Sequence, residues 1–189
     1  MKKAIKKCIA IIGMAIVVAS CGGNGSNHKF DFMDGYKESQ KWHRIDNNGT
    51  PLLSIISYNQ NVIDNAPIVM DIHYSPFHNP YTGEEVWGIS FSLVNIQKGQ
   101  IGGTPTFAKD QKYITLQNEK GDVLTIRVIS NGDNNLIVES SSFQQLPKEV
   151  EETLYFLAGN NDVGITAYLS NGKKYTWKFH SYLDLSNNK

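Results

Sequence analysis

Cysteine is almost missing from this 189-residue chain: the two present, Cys8 and Cys21, both fall in its first 21 residues. Residues 22–189 therefore have no disulfide, no thiolate nucleophile and no soft sulfur ligand for a metal. Arginine is nearly as rare, with Arg44 and Arg127 alone. Nucleic-acid partners call for a basic face, so that class is excluded. Long apolar runs are lacking too. The run at residues 8–19 stops at twelve, short of the ~20 that a membrane-spanning helix requires. The Gly-x-Ser-x-Gly elbow, the His-Glu-x-x-His pair, the phosphate loop and the dinucleotide fingerprint are all absent, and with them the local signatures of the enzymes that use them. No internal repeat is present.

What is there begins at the amino terminus. Lys2, Lys3, Lys6 and Lys7 precede the apolar run, which ends Val18-Ala19-Ser20-Cys21 and gives way to a Gly-Asn-Ser stretch. A basic start, a short apolar core and small residues at the end form an export signal. These residues resemble the lipobox of bacterial lipoproteins: a branched apolar residue, two small residues and a cysteine. The resemblance implies a diacylglycerol thioether on Cys21, cleavage before it, and a further acyl chain, such as palmitate, on the new amino terminus. Two or more chains give stable anchoring where one does not. The expected organisation is then a cleaved signal peptide (1–20), lipidated Cys21 with a flexible tether (21–40), and a single antiparallel β domain (41–189). Four of the 18 Lys and Arg leave with the signal while all 18 Asp and Glu stay, so 14 face 18 and the net charge is −4. Gly22 after the cysteine resembles lipoproteins sorted to the outer membrane, facing the periplasm.

Beyond residue 40, short β-branched and aromatic runs broken by Gly, Asn and Pro predict strands at 41–46, 52–58, 67–74, 86–94, 112–117, 122–129, 135–140, 163–169 and 173–180. Two hairpin registers follow from burial. In the last hairpin, a two-residue Asn171-Gly172 turn would set Ile165 against Lys178. A three-residue loop, Ser170-Asn171-Gly172 with Gly172 left-handed, instead pairs Ala167 with Tyr175, Ile165 with Trp177 and Val163 with Phe179. One face is then apolar throughout, and since a one-residue slip flips every side chain, this register is expected. A Glu119-Lys120-Gly121 loop likewise pairs Leu116 with Leu124 and Ile114 with Ile126. One short helix is predicted over 147–158, with Pro147 at its first position, Glu149, Glu151 and Glu152 at its positive end and Gly159 stopping it. The fold class is mainly β: an antiparallel sandwich or partly open barrel with that helix. The last fifty or so residues, helix then aromatic hairpin, look like the β-sandwich envelope proteins of the invasion-associated-locus-B kind. That likeness carries no functional residue over.

The most unusual segment is residues 75–85, an eleven-residue connection stiffened by Pro76, Pro80 and Gly83. Long loops between strands often carry function. A metal reading would use His73, His78 and Glu84 with Asp71, although the spacing matches no standard site. A binding reading would use Tyr74, Phe77, His78, Tyr81 and Trp87 as an aromatic contact surface for a sugar or a partner chain. The plainest reading, aromatics folded back on the core, is preferred to both. His43 and His180 have no companion at catalytic spacing along the chain, and the three glutamates read as a solvated helix face. The functional expectation is a non-catalytic, lipid-anchored binding lipoprotein of the cell envelope with no cofactor, holding a protein or glycan near the membrane. The alternatives are an immunity-type lipoprotein that neutralises an antibacterial effector, and an envelope hydrolase.

Overall fold

Period-two alternation sets the strands, and burial sets how they pair. The computed structural model describes residues 39–47, 50–78, 83, 85–96, 100–101, 105–140 and 146–183. The leader, Cys21 and the tether up to residue 38 lie outside the described residues. The elements are β1 (His43–Asn47), β2 (Thr50–Ile56), β3 (Asn61–Ile63), β4 (Ala66–His78), β5 (Glu85–Asn95), β6 (Gln100–Ile101), β7 (Tyr113–Asn118), β8 (Val123–Ser130), β9 (Asn135–Val138), α1 (Lys148–Ala158), β10 (Asp162–Tyr168) and β11 (Lys174–His180).

The eleven strands make one antiparallel sheet, ordered β1-β2-β4-β5-β9-β8-β7-β10-β11, with β3 also on β4 and β6 also on β5. Short β9 joins the two halves. One edge takes β5, with Ile137 opposite Ser90, and the other takes β8, with Val138 opposite Val128. A single core fills the curl between them, running from Leu53, Ile72 and Phe91 on one side to Leu116, Ile165 and Trp177 on the other.

Among the described residues the sheet does not close with a strand ladder. Between β2 and β3 the chain leaves the sheet at Tyr58 and reaches the free edge of β11. There the Tyr58 N–H donates to the Lys178 carbonyl at 2.9 Å, and Asn59 and Asn61 donate side-chain amide N–H groups to the Thr176 carbonyl at 3.2 and 3.1 Å. Lys178 N–H returns a bond to Asn59 Oδ1. From the inner side, Trp177 Nε1 donates to the Ile68 carbonyl at 3.2 Å. This is the open-barrel alternative, one curled sheet fastened at its seam by asparagine side chains.

Both expected registers are observed. Val163, Ile165 and Ala167 face Phe179, Trp177 and Tyr175, and Ile114 and Leu116 face Ile126 and Leu124. Gly172 and Gly121 take φ of 76° and 88°, a left-handed turn that a side chain would strain. The choice of register buries Trp177 and Phe179 completely, and each fully buried large side chain contributes about 1.5–3 kcal/mol.

Helix α1 lies over β5 and β8 and buries Val150, Thr153, Leu154 and Leu157. Pro147 is its N-cap residue in extended conformation, one place before the first helical position expected for it. Its ring still suits the site, because the φ of −62° is the one proline fixes. At the other end Gly159 donates its N–H to the Tyr155 carbonyl. Two strands escaped the sequence reading, β3 and β6, which at three and two residues are too short to show alternation.

Candidate functional site

The eleven-residue connection expected at 75–85 is shorter than that. Strand β4 continues through His78 and β5 starts at Glu85, with Pro76 opposite Trp87, Phe77 opposite Val86 and His78 opposite Glu85. Pro76 does not end the strand, because β2 covers only residues 71–74 of β4 on its other edge. A proline with its missing N–H toward an unpaired edge costs the ladder nothing. Six residues, 79–84, are left to join the strands.

This extension reassigns the aromatic surface. Tyr74 is 1% exposed and part of the core, its ring 4.8 Å from that of Trp87, which is itself partly buried against the core. For this pair the preferred reading, aromatics folded back on the core, is the one observed. The Tyr74 hydroxyl is buried and has no hydrogen-bond partner among the described residues. Burial, and then the Glu151 carboxylate, push its pKa well above the ordinary value for a phenol. Phe77 and His78 are placed as strand backbone; their side chains, with Tyr81 and Glu84, lie outside the described residues.

Of the metal candidates, His73 and Asp71 have described side chains, and these two form a polar pair. His73 Nε2 lies 2.7 Å from Asp71 Oδ2, and Asp71 Oδ1 accepts a 2.8 Å bond from Ser54 Oγ on the neighbouring strand. Among the described residues no three His, Cys, Asp or Glu side chains converge on a common point. Burial lowers the affinity of His73 for a proton, but the hydrogen bond and charge of Asp71 outweigh it and hold the imidazole above its usual pKa. Ser54, Asp71 and His73 also stand in the wrong order for nucleophilic catalysis. The hydroxyl donates to the carboxylate, whereas a serine nucleophile must give its proton to the imidazole.

A different surface has the features of a binding site. The second half of the sheet, β8-β7-β10-β11, turns outward a largely polar face that also carries Val123 and Ile129 on β8. Register places Thr125 beside Thr115, Thr115 beside Thr166 and Thr166 beside Thr176, so four threonines form a rank across four strands. The hydroxyls of Thr166 and Thr176 are 2.8 Å apart. Two residues further along, on the same face, stand Tyr113 and Tyr168, 54% and 51% exposed.

On the other side of the rank the face sinks into a groove of about 330 Å³. Its floor is Gly164, where the missing side chain leaves room: a Cβ would come within 3.3 Å of Thr176 Cγ2. Gln117, Glu119, Asp162, Lys178 and Tyr58 surround it. Here the structure supplies what the sequence did not: His180 Nδ1 bonds Asp162 Oδ1 at 2.7 Å, and its ring stacks on Tyr58 with centroids 4.1 Å apart. Expecting Val163 opposite Phe179 already implied Asp162 opposite His180. The signal was in the register rather than in the spacing along the chain. His43, by contrast, sits against the carbonyl of Lys41. Backbone N–H groups, its own before those of Asp162 and Asn161, hold the Glu119 carboxyl below its usual pKa. Burial, and then the Asp162 charge, raise the Tyr58 phenol.

No protein-family model matches the chain, and comparisons with curated proteins and with solved structures found no match.

Proposed function

We propose that this chain is a lipid-anchored, non-catalytic binding protein of the cell envelope, held through Cys21 at the outer membrane facing the periplasm, and that it keeps a protein or glycan near that membrane. The observation that carries the binding half is the groove behind the threonine rank. Gln117, Asp162, Thr166, Thr176 and Lys178 of its lining are set on paired strands, and such preformed sites lose little freedom when a ligand enters. The anchor half rests on Val18-Ala19-Ser20-Cys21 and its basic, apolar approach. Anchoring raises local concentration, so a weak contact becomes effective.

The test takes the full chain and its Cys21→Ser variant. Mass spectrometry of the native chain is expected to find the diacylglycerol thioether on Cys21, and fractionation to find the variant released from membranes. Unmodified Cys21 in a membrane-free fraction removes the anchor. Turnover of cell-wall or glycan substrates removes the non-catalytic reading.

A further inference from the structure

We infer that the groove floored by Gly164 receives one end of a neutral glycan, and that the sugar chain runs on over the threonine rank to Tyr113 and Tyr168. This assignment rests on the binding reading above and adds the ligand class.

Three features of the face argue for it. The first is charge. Glu119 and Asp162 are set against Lys178 around one small groove, so an anion meets two carboxylates and a cation meets Lys178. A ligand of many hydroxyls and no net charge meets neither penalty. The second is the lining. Val163 is buried in the core, so the groove offers amide, hydroxyl, carboxylate and ammonium groups with the Tyr58 ring as its aromatic wall. A hydroxyl both donates and accepts, as does each sugar hydroxyl it would meet. The third is continuity. Thr166 and Tyr168 follow Gly164 at alternate positions of β10 and share its face. Successive residues rise about 3.3 Å, which sets Tyr168 roughly 13 Å from the groove floor. The span suits an extended chain rather than a single sugar. Two half-exposed tyrosines at its far end offer the flat, amphipathic rings that stack on sugar faces.

The experiment titrates cellohexaose, maltohexaose and chitohexaose separately into the full chain by calorimetry, alongside Gln117→Ala, Tyr168→Ala and Gly164→Leu. Gln117 and Tyr168 are exposed, so their variants keep the fold even where the bulkier Gly164→Leu does not. At least one hexasaccharide is expected to bind the parent chain. Each alanine variant is expected to bind it roughly tenfold more weakly, about the loss of one good contact, and Gly164→Leu, when folded, not to bind it. Silence from all three sugars overturns the proposal, as does binding that every variant keeps, or binding of dextran sulfate in place of the neutral sugars. A protein partner captured by the parent and lost on Gln117→Ala, with every sugar silent, overturns the glycan and leaves the binding reading intact. Release of new reducing ends keeps the glycan and ends the non-catalytic reading instead.

Discussion

The β4–β5 and β10–β11 hairpins share one period-two backbone and treat their outward faces in opposite ways. In β4, residues 68–72 are buried without a break, so outward-facing Val69 and Asp71 are shielded like inward-facing Met70 and Ile72. In β10 and β11 the buried set is the inward one, Val163, Ile165, Ala167, Trp177 and Phe179, while Thr166, Lys174 and Lys178 face water or the groove. Antiparallel sheets commonly solvate one face; this one does so in its second half. The difference decides what polar groups are for. Asp71, cut off from water, spends its oxygens on Ser54 and His73. On the second half the hydroxyls, amides and charges remain within reach of a ligand.

The largest test of this contrast concerns the inner faces, where the halves are alike. Trp177→Ala and Phe91→Ala, one from each half of the core, are each expected to cost about 3–5 kcal/mol in denaturant unfolding. A cost under about 1 kcal/mol for either would mean that its side chain is not packed in the core. Next come the outer faces. Asp71→Ala leaves the Ser54 hydroxyl and His73 without their partner and is expected to cost about 1–3 kcal/mol. Thr125→Ala, on the exposed rank, is expected to stay within about 0.5 kcal/mol. Equal costs would break the comparison.

The smallest effect is a pH dependence. The fold raises the His73 pKa above 6.5, so it favours the protonated ring. The stability this brings is complete below that unfolded value and is lost as pH rises through the higher folded value. Asp71→Asn removes the charge responsible and is expected to flatten this part of the pH profile of the unfolding midpoint. An unchanged slope would assign it to another group.

Much of the fold was legible because burial leaves one sensible register for strands such as Val163, Ile165 and Ala167 against Phe179, Trp177 and Tyr175. Pro76 misled, since its tolerance depends on which neighbour covers that edge, a long-range fact. Tyr74, at the end of the expected strand, faces the core as the preferred reading of folded-back aromatics has it. The candidate site was half legible. Each hairpin register sets up its own threonine pair, and Asp162 against His180. The pairing of β7 with β10, which joins the two threonine pairs, has no local signal. Nor has the arrival of Tyr58 from the β2–β3 connection, over one hundred residues away in sequence from Lys178.

That arrival also shapes how the protein behaves among its own copies. An uncovered β margin is a template on which the next molecule can pair. Here carboxamides occupy the hydrogen-bonding positions where an intruding strand would dock. The hooks are few, so the molecule has a place to breathe that leaves its ladders whole; amide exchange at Lys178 ahead of Trp177 would reveal it.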